Sequence, residues 1–346
     1  MTPLTLSNLT DLTRCAADTI IDVRAPSEFA EDHLPGAINL PVLSDSERAE
    51  VGTIYTQQSP FLARKIGAAL VAANAARHLQ GPLAEKPGDW QPLVYCWRGG
   101  QRSNAFATIL DQVGWRVQLL QGGYRSYRRQ VVATLYDRTL SHRLRIVSGG
   151  TGTAKTAILQ ALRARGAQVI DLEGLAAHRG SLFGGHGDQP SQKMFESRLA
   201  GELDTLDPQR TLWIEAESSR VGARILPPAL WAAMGAAPRV EITAPLDARA
   251  AHLVATYADL RADPAMLADR IDHLRPFHAA KQIAHWHDLA RSAEWRALAA
   301  ELIARHYDPR YAKAKTHRQG DAALHLGSLD TDALNRAAED LIDRFS

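Results

Sequence analysis

The feature that most constrains this chain is the run Gly149-Gly150-Thr151-Gly152-Thr153-Ala154-Lys155-Thr156, which follows an apolar strand pattern and opens a helical one. This is the Walker A arrangement in the strand–loop–helix setting that gives it meaning. Small residues let backbone N–H groups approach phosphate oxygens, and the helix N-terminus favours negative charge. Lys155 adds a point charge, and the Thr156 hydroxyl is suited to an Mg²⁺ shell. Ala154 stands where the motif has its last glycine; that position is expected to be helical already, so a methyl group should fit. Such a loop recognises a diphosphate, of which ATP is only one carrier. A doubly wound parallel sheet is the expected home of the loop.

The flanking patterns agree with that architecture. Leu144 to Val147, Val169 to Leu172, Thr211 to Ile214 and Arg239 to Ile242 read as strands, and Lys155 to Arg165 as a helix. From Leu246 onward the chain is expected to be mostly helical. The first half repeats the alternation, with strands at Thr19 to Val23, Ala37 to Leu40, Leu93 to Tyr95 and Val117 to Leu120, and helices at Lys65 to Leu79 and Ser103 to Val113. Strands alternating with helices predict parallel sheets covered on both faces. The 346 residues suit two domains, expected at 1–124 and 144–346, joined by a basic helical linker over 125–143. Glu215 and Glu217 close one predicted strand, and Asp171 and Glu173 close another. Carboxylates there would face the phosphate loop, as metal ligands, as a base, or as plain surface polar groups.

A second loop, Cys96-Trp97-Arg98-Gly99-Gly100-Gln101-Arg102-Ser103, also lies between a buried strand and a helix. A thiol at a helix N-terminus loses its proton more readily, and the thiolate is the nucleophile. Arg98 and Arg102 add positive charge, so the loop could also seat an oxyanion through Gly99, Gly100 and Ser103. Cys15 has no such surroundings and is read as structural. With only 2 cysteines in the chain, a disulfide framework is not expected, and a reducing cytoplasm is the expected setting. Met1 to Ala17 lacks the basic segment and long apolar run of a secretory signal, and no apolar run is long enough to span a bilayer.

Net charge is only +2, but its distribution is uneven. Arg125, Arg128, Arg129, Arg138, Arg143 and Arg145 crowd one stretch, and Arg305, Arg310, Lys313, Lys315 and Arg318 another. Such clusters suit a phosphate backbone, or form a solvated face.

The cysteine loop resembles the rhodanese family, as do Ile21-Asp22-Val23-Arg24 and His33-Leu34-Pro35-Gly36-Ala37-Ile38-Asn39-Leu40-Pro41. In that family Asp22 and Arg24 would hold the active-site scaffold. The 5 residues between Cys96 and Arg102 make a loop one longer than is usual in single-domain sulfurtransferases, a spacing shared with Cdc25-type phosphatases. The loop alone therefore fits sulfur or selenium transfer and phosphate-ester hydrolysis equally. Longer strings are more specific. Tyr95 to Ser103, Val51-Gly52-Thr53-Ile54-Tyr55 with Gly67 to Val71, Asp171 to Ala176 with His178-Arg179-Gly180-Ser181 and Phe183-Gly184, Gln189-Pro190-Ser191-Gln192 with Phe195-Glu196, and Glu215-Ala216-Glu217-Ser218 resemble the tRNA 2-selenouridine synthase family.

That resemblance implies two steps at the wobble 2-thiouridine of tRNA. A geranyl group passes from geranyl diphosphate to sulfur, and selenophosphate then supplies selenium as geranylthiol leaves. Cys96 would be the nucleophile, with Arg98, Gly99, Gly100, Arg102 and Ser103 seating selenophosphate. Gly149, Gly150, Thr151, Gly152, Thr153, Lys155 and Thr156 would seat the diphosphate. His178, Arg179 and Gly67 would touch substrate. Arg125, Arg128, Arg129, Lys313 and Lys315 would hold the anticodon stem-loop, with Trp97, Tyr124 or Tyr127 stacking on the base. No tightly bound cofactor is expected beyond possible Mg²⁺, and a selenophosphate-supplying enzyme is an implied partner. The alternative is a sulfurtransferase or Cdc25-like phosphatase domain fused to an ATP-dependent small-molecule kinase.

Overall fold

A computed structural model describes residues 1–180, 183–184, 188–314 and 321–345, with no side-chain description over 312–314. Among the described residues no helix is long and apolar enough to cross a membrane. The chain divides into two units, Met1–Thr139 with Pro190–Thr205, and Leu140–Gln189 with Leu206–Ser346.

The first unit is built on five parallel strands: β1 (Thr2–Leu4), β2 (Thr19–Asp22), β3 (Ile38–Asn39), β4 (Pro92–Tyr95) and β5 (Gln118–Leu120), in the order β1-β5-β4-β2-β3. β4 is central and every one of its residues is buried, the pattern of a strand covered on both faces. Two helices, Asp45–Gln57 and Pro60–Gln80, form a hairpin beside the sheet. The first starts at Ser44, which exchanges bonds with Glu47: Glu47 N donates to Ser44 Oγ (3.2 Å), and Ser44 N donates to the Glu47 carboxylate (2.7 Å). The second starts at Ser59 with Pro60 in the first turn, where a missing N–H costs nothing.

Of the stretch expected as a linker, 125–143, residues 125–139 are part of this unit and 140–143 belong to the second. Helix Gly123–Val132 buries Tyr124, Ser126, Tyr127 and Val131, because its apolar and aromatic residues recur on one face. The chain also returns to this unit with helix Gln192–Thr205. There Glu196 pairs with Arg128 and accepts from Tyr136 Oη (2.6 Å), and Ser197 Oγ donates to Asp32 (2.9 Å).

The second unit is a parallel sheet of β6 (Arg143–Ser148), β7 (Gln168–Ile170), β8 (Thr211–Glu215), β11 (Arg239–Thr243) and β12 (Ala322–His325), ordered β12-β11-β6-β8-β7. A small antiparallel pair, β9 (Arg220–Val221) and β10 (Arg224–Ile225), lies outside it. β7 stops at Ile170 rather than Leu172, because Asp171 caps a short helix by accepting from Gly174 N at 2.7 Å. β12 falls in the region expected to be helical. Its Ala-Ala-Leu-His sequence has no β-branched residue, and it is a strand only through its pairing with β11. Helices Lys155–Ala164 and Thr331–Phe345 supply Ile158, Leu159, Leu162, Leu334, Ala338 and Leu341 to the core, each large apolar side chain contributing about 2 kcal/mol by burial.

Candidate active site

Both sheets place a glycine loop at the carboxyl end of their central strand, β4 in one unit and β6 in the other. That end is where parallel sheets bind ligands.

In the first unit Cys96 leaves β4 and is 3% exposed. Ser103, fully buried on the first turn of helix Gln101–Val113, donates to Cys96 Sγ at 3.1 Å. Gly99 and Gly123 both have positive φ and let two backbone segments meet. A Cβ on Gly123 would lie 2.2 Å from the Cys96 carbonyl oxygen and 2.4 Å from Gly99 N. Tyr124 N donates to that carbonyl (2.8 Å), and Arg125 N to Trp97 O (3.1 Å). Below them Arg24, 1% exposed, grips Asp22 through Nε and Nη2, donates to Asp32 O, and lies 4.1 Å from the centre of the Tyr124 ring. The Asp22–Arg24 pair thus braces the residue that holds the cysteine loop in place.

A cleft of about 910 Å³ opens on the Arg98 and Arg102 side of this loop. Val51, Tyr55, Gly67 and Val71 line it, together with four guanidinium groups, Arg48, Arg64, Arg98 and Arg102. Arg102 is tied to Glu28 (2.9 Å), which also pairs with Arg48 (3.0 Å), so it is held rather than free-swinging. These arginines keep the Glu28 carboxyl below its ordinary range despite burial. Sequence reasoning missed Arg48 and Arg64. Their helical spacing to Val51, Gly52 and Tyr55, and to Gly67, Ala68 and Val71, was the signal that could have found them.

Three expectations about tRNA contacts fail here. Arg128 is half-buried and taken up in its pairing with Glu196 and Asp32. Tyr124 and Tyr127 are 3% and 1% exposed and belong to the core, leaving half-buried Trp97 as the one candidate stacking ring of the three. Arg125 and Arg129 are exposed. Of the other basic residues, Arg145 lies over the Phe345 ring (3.9 Å) inside the second unit, Arg305 pairs with Glu301, and Arg310 donates to His306. Lys315, Arg318 and the Lys313 side chain lie outside the described residues, as does Ser181.

In the second unit the phosphate loop is clamped from helix Leu246–Thr256. Arg249 donates to Thr151 O through Nε (2.9 Å) and Nη2 (2.8 Å), and pairs with Asp308 (2.6 Å). Lys155 Nζ folds back onto Gly149 O at 3.0 Å. Ala154 is not helical as expected. It caps the helix at φ 61° and ψ 30°, a left-handed conformation that strains a residue with a Cβ.

β8 sets Glu215 beside Val147, at the root of the loop. Glu173, Glu215 and Glu217 offer oxygens within 4.8 Å of one another. Thr156 Oγ1 donates to Glu173 (3.0 Å), and Glu173 N donates to Glu215 Oε1 (2.9 Å). Glu215 Oε2 is buried without a hydrogen-bond partner. Burial and the neighbouring carboxylates push Glu215 well above the usual range, and burial with Glu173 raises Glu217 to about 7. Such a group can hold a shared proton or a hard cation. Asp171 is separate from it, being spent as a helix cap.

A chamber of about 450 Å³ lies over the loop, lined also by Arg179, Gln160 and His252. Gln160 and His252 had no motif to mark them. Burial and Lys155 lower the His252 pKa. Arg179 is paired with Asp259 (3.0 Å), while His178 packs close to Gly222 and accepts from Gly180 N (3.1 Å), away from the chamber lining.

Comparison with known families accounts for both cradles. Residues 5–130 match the rhodanese-like domain, and residues 142–280 match the tRNA 2-selenouridine synthase AAA domain. Curated relatives bear the name tRNA 2-selenouridine synthase. That of Psychromonas ingrahamii is 37% identical over 72% of this chain and 67% of its own length. That of Nitrosomonas europaea is 41% identical over 61% of this chain, which spans 56% of that relative. That of Shewanella denitrificans is 34% identical over 90% of this chain and 83% of its own length. The two domain matches, with 34% identity to that last relative along 90% of this chain, place the protein in the tRNA 2-selenouridine synthase family.

Proposed function

We propose that the chain converts wobble 2-thiouridine of tRNA to 2-selenouridine through an S-geranyl intermediate, with one cradle serving each half of the reaction. The observation that carries this reading is the pairing of Cys96, backed by Ser103, with a Lys155 phosphate loop in one polypeptide.

In the first half-reaction the thiocarbonyl sulfur attacks the first carbon of geranyl diphosphate. The carbon–oxygen bond breaks, diphosphate leaves, and N3 of the base gives up its proton. The loop N–H groups and Lys155 stabilise the charge gathering on the departing phosphates. Glu173, Glu215 and Glu217 with Thr156 would hold Mg²⁺, whose chemistry there is to neutralise that charge; the orphaned Glu215 oxygen suits a hard cation.

In the second half-reaction the Cys96 thiolate attacks C2 of the geranylated base, and geranylthiolate departs, leaving the base bonded to Cys96. The selenium of selenophosphate then attacks C2 and displaces the Cys96 thiolate. Water cleaves the Se–P bond at phosphorus, phosphate leaves, selenium stays on C2 and N3 regains its proton. Alkylation matters because it turns a poor leaving group into a good one. Arg98, held Arg102 and the loop N–H groups seat the phosphate, while Gly67 lies on the wall of the adjoining cleft. The exposed Arg125 and Arg129 serve the anticodon stem-loop. A selenophosphate-supplying enzyme and a reducing cytoplasm complete the setting.

Mass spectrometry of tRNA nucleosides after incubation with geranyl diphosphate and selenophosphate tests this. Wild-type protein yields 2-selenouridine, and Cys96→Ser stops at the geranylated nucleoside. Selenation at the normal rate by Cys96→Ser removes the nucleophile assignment.

A further inference from the structure

Next to the phosphate-loop chamber lies a second void, a slot of about 80 Å³ walled by side chains that include Leu253, Val254, Leu260, Trp295, Leu298 and Leu302. Thr151, Leu253, Tyr257 and Tyr307 border both spaces, so the slot adjoins the cradle rather than lying apart in the core. Its position is set by the loop clamp. Arg249 holds Thr151 O, and Leu253 lies one helical turn further along the same helix. Whatever binds phosphate at Lys155 therefore finds a hydrocarbon wall at a fixed place beside it. A nucleoside would need polar partners for its base and ribose hydroxyls, and this wall is almost wholly apolar. An apolar, narrow void stays dry and takes an apolar guest.

We infer that this slot seats the hydrocarbon tail of an allylic diphosphate whose phosphates lie in the Lys155 cradle, and that Val254 and Leu302 set the chain length it accepts. This rests on the diphosphate reading of the loop given above. Each isoprene unit placed in the slot adds apolar burial, so affinity rises with chain length until the slot is full. A larger side chain at Val254 shortens the accepted tail, and a smaller one at Leu302 lengthens it.

Calorimetric titration of the full chain with inorganic pyrophosphate, dimethylallyl, geranyl and farnesyl diphosphates, and ATP tests the inference. Wild-type protein prefers geranyl diphosphate to pyrophosphate by about a hundredfold. Val254→Trp loses about tenfold for geranyl diphosphate while keeping the wild-type affinity for pyrophosphate and dimethylallyl diphosphate. Leu302→Ala gains relative affinity for farnesyl diphosphate. Unaltered pyrophosphate binding shows that each variant is folded, and the two substitutions move preference in opposite directions, so failure of one to fold leaves the other decisive. An unmoved chain-length preference in a variant that binds pyrophosphate normally overturns the slot while leaving the diphosphate reading intact. Wild-type protein that binds ATP more tightly than every allylic diphosphate overturns that reading, and the slot with it.

Discussion

The two cradles use one backbone device and satisfy it differently. Each is a glycine loop between the central strand of a parallel sheet and a helix. The cysteine cradle is closed on itself: Ser103 faces the thiol, Gly123 lets the next turn press against Cys96 O, and Arg102 is already matched to Glu28. The phosphate cradle gathers like charges instead. Lys155 falls back on a carbonyl, and three carboxylates crowd together. The difference teaches that the first site is pre-organised by packing, whereas the second keeps unsatisfied charge for what it binds.

The largest expected effect separates the chemistry of the two. Cys96→Ser should lower selenation on the order of a thousandfold while geranylation continues. Lys155→Ala should lower geranylation about a hundredfold, and yet still selenate tRNA that is supplied already geranylated. Nucleoside analysis of single-turnover reactions reads both, and a common loss of both steps in either variant would break the division of labour.

Packing comes next. Gly123→Ala forces a Cβ into Cys96 O at positive φ, and should destabilise the protein by about 3 kcal/mol. Gly150→Ala meets side-chain ends, the Arg249 guanidinium (2.9 Å) and Asp308 Oδ1 (3.4 Å), rather than backbone, and should cost about 1 kcal/mol. Urea unfolding measures the two, and equal losses would contradict a tighter cysteine cradle.

The third prediction concerns pH. Glu217 ionises near 7 in the folded chain and near 4.5 when unfolded, so between these values the folded state holds the extra proton. Its contribution to stability is full below about pH 4.5 and is lost as pH rises through 7. Relative to Glu217→Gln, the ligand-free wild type should lose about 3 kcal/mol across that window. Saturating Mg²⁺ with pyrophosphate should shrink the loss; a pH-independent difference between the two proteins would deny the carboxylate cluster its stored charge.

The smallest effect is Ala154→Gly. Relief of left-handed strain outweighs the added chain entropy, and the variant should gain about 0.5 kcal/mol, read as a small rise in Tm. A loss instead would mean that the Ala154 methyl group packs usefully.

Much of this was legible because short-range rules govern it. Most of the predicted strands lie within a residue or two of those observed, and both loops sit where strand and helix patterns meet. What was not legible depended on distant partners. β12 is a strand because β11 is beside it, and the arginine-rich stretch is a packed helix because Glu196, some 60 residues later, meets Arg128 and Tyr136. Counting charges could not distinguish Arg128, which is half-buried and paired, from Arg125, which is exposed.

Local sequence by itself determined the kinds of chemistry present: a thiol and a lysine, each in a glycine turn that opens a helix, because such turns are dictated by neighbouring residues. Tertiary structure alone decided their surroundings. It gathered Glu173, Glu215 and Glu217 from two segments, bent Ala154 into the left-handed region, and set a hydrocarbon slot beside the phosphate loop. Burial, and with it the pKa of a carboxylate or the dryness of a cavity, is a property of how segments far apart in the chain pack together.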